Sequence, residues 1–136
     1  MPITHSRPVL NTSLPAQFRQ VRMELARESG RPEGDAGVAY VMIAPLDADS
    51  RIDPELWRQH RRACRIARFH PNSEDCLGHL VHLPAGGWAF HYDIGTEMPD
   101  ELGFQFANER FAVGDCVSVN EDGKMHTFRV ALVSRL

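Results

Sequence analysis

Apolar residues recur along the chain in two rhythms, one helical and one alternating. Near the N-terminus Leu14, Phe18, Val21 and Leu25 fall in one narrow arc when wound at about 100° per residue. That stripe predicts a first helix, capped by Thr12 or Ser13, with Pro15 tolerated in its first turn. The helix is expected to stop near Ser29, because Gly30, Pro32, Gly34 and Gly37 follow closely. Residues 1–11 hold two prolines and no usable period, so they are expected to form an extended arm ahead of a single domain over 12–136.

Val38–Ala44 is a nearly continuous apolar run of strand length and predicts a buried strand. Asp53-Pro54 then opens a second predicted helix, with Asp as cap and Pro in the first helical position. Leu56, Trp57, His60, Ala63 and Cys64 project to one side of it, and Arg58, Arg61, Arg62 and Arg65 to the other. Residues 64–69 fit either a continuing helix or a short alternating strand. From residue 76 onward the rhythm is β. His79–Leu83 and Trp88–Tyr92 flank Pro84-Ala-Gly-Gly87, a hairpin signature. Pairing Leu83 with Trp88 puts His79, Val81, Leu83, Trp88, Phe90 and Tyr92 on the core face, and Leu80, His82, Ala89 and His91 on the other. An acidic connection, Asp93–Glu101, leads to a short strand at Gly103–Phe106. Cys116–Asn120 and Met125–Val133 form a second hairpin around Glu121-Asp-Gly123, with Gly123 suited to the left-handed position. Together these elements predict an α+β fold: two helices packed on a bent antiparallel sheet or a small SH3-like β-barrel.

Composition bounds the function. The 136 residues are 43% hydrophobic and 24% charged, an ordinary globular mixture. No apolar run approaches the roughly 18 residues of a membrane span, so no membrane contact is expected. Three cysteines cannot all pair within the chain, which points to a reducing cytoplasm. The net charge of −3 hides a split: residues 1–70 carry 11 basic and 8 acidic side chains, and residues 71–136 carry 4 and 10. Fourteen of the basic residues are Arg, leaving Lys124 to serve any mechanism that needs a lysine.

Three constellations carry candidate chemistry. Histidine and cysteine concentrate between residues 60 and 91, and His82 with His91 form the one credible pair on a hairpin face. Cys76 is the nearest third ligand, and zinc is the ion such thiolate and imidazole donors would take. The Arg face of the second helix, Arg58, Arg61, Arg62 and Arg65, with Arg68 beyond it, suits phosphate groups or a polyanion. The plainer expectation is that these arginines pair with the acidic second half of the chain. Asp47-x-Asp49 reads as a turn before a helix cap, and Ser118 opposite His126 as a hydrogen-bonded pair with no carboxylate to orient it. Cys64 and Cys116 are expected in the core and Cys76 nearer the surface. No nucleophile elbow, HExxH motif or phosphate loop occurs.

The stretches PEGDAGVAYVMIAPLDADSRID, GHLVHLPAGGWAFHYD and FAVGDCVSVNEDGKMHTFRVALV resemble an uncharacterised group of small soluble bacterial proteins, over residues 7–133. Its pattern commonly has Gly at the position of Ser50 and Asp at that of His91, and the resemblance implies no activity, cofactor or partner. The expected function is a cytoplasmic binding or accessory module with no assembled catalytic set. Its contact surface is either the face bearing His82, Ala89 and His91 or the Arg face. The alternatives are a metal-dependent enzyme or metal-binding protein using His82 and His91, and a polyanion binder. No cofactor is expected of the leading reading, with zinc reserved for the metal alternative. A protein partner is left open and nucleic acid is disfavoured.

Overall fold

In a computed structural model, the described residues are 14–28, 32–94, 99–103, 106, 108–121 and 123–136. The arm expected over 1–11 and the caps Thr12 and Ser13 lie outside them. The chain forms β1 (Phe18–Leu25), β2 (Asp35–Pro45), a short helix α1 (Pro54–Gln59) and a 3₁₀ turn (Arg61–Ala63). Then follow β3 (Arg65–Phe69), β4 (Cys76–His82), β5 (Trp88–Ile94), β6 (Glu101–Gly103), β7 (Cys116–Glu121) and β8 (Lys124–Arg135). Each strand pairs antiparallel with the next, and β1 pairs with β8, which closes an eight-stranded up-and-down barrel.

This overturns the α+β expectation of two helices on an open sheet or SH3-like barrel. The first predicted helix is strand β1. Val21, Met23 and Leu25 point inward at a spacing of two, while Arg22 and Glu24 are only partly buried between them. Met23 lies on the opposite side of the helical arc from Val21, so only the alternating rhythm buries all three. Pairing on both sides, with β2 and β8, supplies the hydrogen bonds that the lost helix would have made. The second helix forms but is short. Asp53 Oδ1 accepts from the backbone of Glu55 (3.0 Å) and Leu56 (3.1 Å), as expected of a cap. At His60 the backbone turns to φ −133°, and Ile66 then enters the barrel from β3. Residues 65–69 are therefore strand.

The hairpin of β4 and β5 closes one residue away from the expected register. His82 pairs with Trp88, while Leu83 donates its N–H to the Gly87 carbonyl (2.7 Å) inside the loop. A one-residue slip exchanges the faces of a strand. Gly78 and Leu80 are thus buried, and His79 and Val81 face outward. On β7, Val117, Val119 and Glu121 are buried while Cys116 is exposed, so Cys116 is not a core residue; Cys64 and Cys76 are buried.

The interior is filled by side chains, as barrels of eight strands allow. Tyr40 touches Phe90 and Phe128 at 5.0 Å between ring centroids, Phe106 meets Phe111 at 5.0 Å, and Met23 and Met42 are fully buried beside them. The α1 segment packs at the end of the barrel that holds the β4–β5 loop. There Trp57 donates Nε1–H to the Leu80 carbonyl (2.9 Å) and meets Trp88 edge-on at 5.5 Å.

β4 crosses β5 very closely at an irregularity in the pairing beside Leu77 and Gly78. A Cβ at Gly78 would sit 1.9 Å from the His91 carbonyl oxygen. Gly78→Ala is therefore expected to cost about 3 kcal/mol, measured as a lowered urea midpoint, because the obstructing atom is backbone.

Candidate functional site

Inward parity places an unexpected set of residues at the other end of the barrel, where β1 turns into β2, β3 into β4, β5 into β6 and β7 into β8. Tyr40 on β2 is directly paired with Arg68 on β3. Tyr92 on β5, Glu101 on β6 and Glu121 on β7 are all buried from the same end. Glu101 and Glu121 are adjacent because Leu102 pairs with Asn120. An apolar barrel thus carries one polar layer.

Its hydrogen bonds define a proton count. The Tyr40 hydroxyl is 2.8 Å from Glu101 Oε1 and also contacts Glu121 Oε2, and the Tyr92 hydroxyl is 2.6 Å from Glu101 Oε1. Two phenols thus supply two protons to the two carboxyls, the Tyr40 hydrogen being shared between Glu101 and Glu121 and the Tyr92 hydrogen going to Glu101. Desolvation raises the Glu101 carboxyl above its ordinary 4.5, against the lowering effect of Tyr92, Tyr40 and Arg68. Burial, with Glu101 adding to it, also drives both phenols far upward, so they remain proton donors.

Arg68 supplies the countercharge. Its side chain is 12% exposed, with Nε 3.2 Å from Glu101 Oε1 and Nη2 3.7 Å from Glu121 Oε2. Nε is close as a charge yet not aligned as a hydrogen-bond donor. Desolvation pulls the guanidinium down, but Glu101, Tyr40 and Glu121 more than offset it and hold it charged. One guanidinium facing both carboxyls offsets their charge, which is how an interior tolerates buried ionisable groups.

Two histidines connect this layer to solvent. His70 Nε2 lies 3.4 Å from Glu121 Oε2, and His126 Nε2 lies 4.0 Å from Glu121 Oε1. His126 Nδ1 is 2.9 Å from Glu28 Oε2. A donor hydrogen there fixes the tautomer and leaves Nε2 toward Glu121. About a quarter of each of His70, His126 and Glu28 is exposed. Beside them are two surface clefts on the β1–β2 rim. One of about 630 Å³ includes Glu24, Arg27, Glu33, Asp35 and Arg129, and one of about 550 Å³ is lined by Arg27, Glu28, Pro32 and Glu33.

The residues singled out from sequence are placed elsewhere and are not gathered. His82 lies against Trp88 (4.3 Å between centroids) and Trp57 at the α1 end. His91 faces outward and meets Asp100, while Cys76 is buried on the inner face of β4. Among the described residues no group of three or more His, Cys, Asp and Glu side chains forms a metal shell. Arg58 is tied to Glu55, and Arg61 stands 5.8 Å over the Trp57 ring. Together with Gln59, His60, Arg62 and Ala63 they line a cleft of about 460 Å³. Arg65 is on β3 and points outward, not on a helix with the others. Of the arginine run, Arg68 is the member that pairs with the acidic half of the chain. Asp47 Oδ1 accepts from the backbone of Asp49 and Arg51, a turn as expected, and Ser118 is paired with Thr127, not His126.

The polar layer was missed because Glu101 and Glu121 sit next to turns and read as solvated. Their parity was the available signal: Arg68 follows Ile66 by two positions and Glu121 follows Val119 by two. No family model matches the chain, and neither the curated proteins nor the solved structures contain a match.

Two substitutions test the layer. A carboxyl with a raised folded value stabilises the fold below its ordinary 4.5, and that contribution is lost as pH rises through the folded value. Between pH 5 and pH 8 the urea midpoint of the wild type should therefore fall relative to that of Glu101→Gln. Arg68→Met strands the carboxyls without their cation, and a loss of about 3–5 kcal/mol is expected at pH 7 by urea unfolding.

Proposed function

We propose that this protein is a small binding module whose recognition site is the polar end of the barrel, taking a small ligand with a protonated nitrogen. The observation that carries the reading is the buried Tyr40–Glu101–Glu121–Arg68 layer, joined to the surface through His126 and Glu28. A filled apolar barrel is stable without such a layer, and replacing buried ion pairs by apolar residues is often neutral or stabilising. Such a layer, with the Glu101 carboxyl raised by burial and Glu28 lining a rim cleft, is the physical signature of a working site.

Charge sets the ligand class. The buried layer sets two carboxyls against the one guanidinium of Arg68, and the groups around it add Glu28, Glu24, Glu33 and Asp35 against Arg27 and Arg129. An ammonium or guanidinium head fits this balance better than a carboxylate or phosphate. Among the described residues no helix is long and apolar enough to cross a membrane. The cytoplasm is the proposed location, in keeping with Cys64, Cys76 and Cys116, which form no disulfide.

The test is nuclear magnetic resonance titration with a panel of small amines and guanidines, set against carboxylates and neutral amides of equal size. Saturable shifts at Glu28, His70 and His126 are expected with the cations only, and should vanish in Glu28→Gln. Equal response to anions, or shifts confined to the α1 end, defeats the reading.

A further inference from the structure

We infer that His79 and His91 form a two-point chelate for a divalent transition-metal ion on the outer wall of the barrel. The inference is independent of the polar end. His79 on β4 and His91 on β5 are direct cross-strand partners, and both face outward. Directly opposed residues of an antiparallel pair have Cβ atoms about 4.5–5.5 Å apart, within reach of one ion for two imidazoles. Their outward placement follows from the hairpin register, which exchanges His79 for His82 as the residue sharing a face with His91.

The orientation of the donors is the second observation. His79 Nδ1 is 2.8 Å from Asp93 Oδ2, and His91 Nδ1 is 2.7 Å from Asp100 Oδ1. Each ring therefore spends its Nδ1–H on a carboxylate and keeps Nε2 as a free donor. Metal-binding histidines are typically held this way, and the carboxylate raises their basicity. The site is open to solvent, with the His91 side chain 55% exposed and that of His79 33% exposed. Arg65 faces His79 from β3, and the two aspartates outweigh its charge. Two imidazoles with water completing the shell suit the nitrogen-favouring dications, nickel, copper and zinc.

Calorimetric titration of the untagged full chain with Ni²⁺ tests the site, with Zn²⁺ in parallel. One ion per chain is expected to bind more tightly than to any other histidine of the protein. His79→Ala and His91→Ala should each abolish that tight phase, and His82→Ala should leave it intact. Asp93→Asn and Asp100→Asn should each weaken it about tenfold while the melting temperature holds, since they act by positioning the rings. The proposal fails if the His79→Ala/His91→Ala double variant, shown folded by circular dichroism, binds as the wild type does. It also fails if His82→Ala removes the tight phase.

Discussion

The pairing of β1 with β8 is the constraint on which the rest of this structure depends. It gives every described strand two neighbours, so the sheet has no edge strand among the described residues. It also determines what β1 is. A segment with a fair helical stripe becomes a strand because two partners stand ready to bond it and because Met23 is buried only in that form. The pairing shifts register between Arg22 and Met23, and such bulges add the bend that closure requires.

Closure also gives the barrel an inside, and parity then decides what enters it. Most inward positions are aromatic or aliphatic, and they pack the axis solid from Trp88 to Phe128. Near one end, parity delivers Tyr40, Arg68, Tyr92, Glu101 and Glu121 in place of apolar residues. Because both phenols donate to the carboxyls and Arg68 faces them as countercharge, the layer meets the cost of burial internally and can remain in the core. Its contact with bulk water runs through His70, His126 and Glu28.

The charge split takes a spatial form that its position in the sequence conceals. Arg58, Arg61 and Arg62 lie around the α1 segment, while Glu28, Glu33, Asp35, Glu101 and Glu121 lie toward the opposite rim. Among the described residues, Arg68 crosses between the two groups as a buried partner of Glu101 and Glu121. Arg58 instead takes Glu55, three residues away on its own helix. Among the described residues, pairing of the first-half arginines with the acidic second half is therefore confined to Arg68, the one at the proposed site.

By itself the sequence determined the local elements that carry their own chemistry. The buried strand at Val38–Ala44, the Asp53-Pro54 helix opening, both C-terminal hairpins and the left-handed Gly123 are legible because each follows from a few neighbouring residues. Tertiary structure decided everything that needs a distant partner. Whether Leu14–Leu25 coils or extends depended on β8, more than a hundred residues away. Which histidine shares a face with His91 depended on one residue of hairpin register. Glu101 and Glu121 became a buried cluster only when closure turned them inward toward Tyr40 and Arg68, since a carboxylate beside a turn reads as solvated until the opposite wall exists. Periodicity along a chain reports which faces are apolar, whereas the meeting of polar side chains across a barrel is set by its closure.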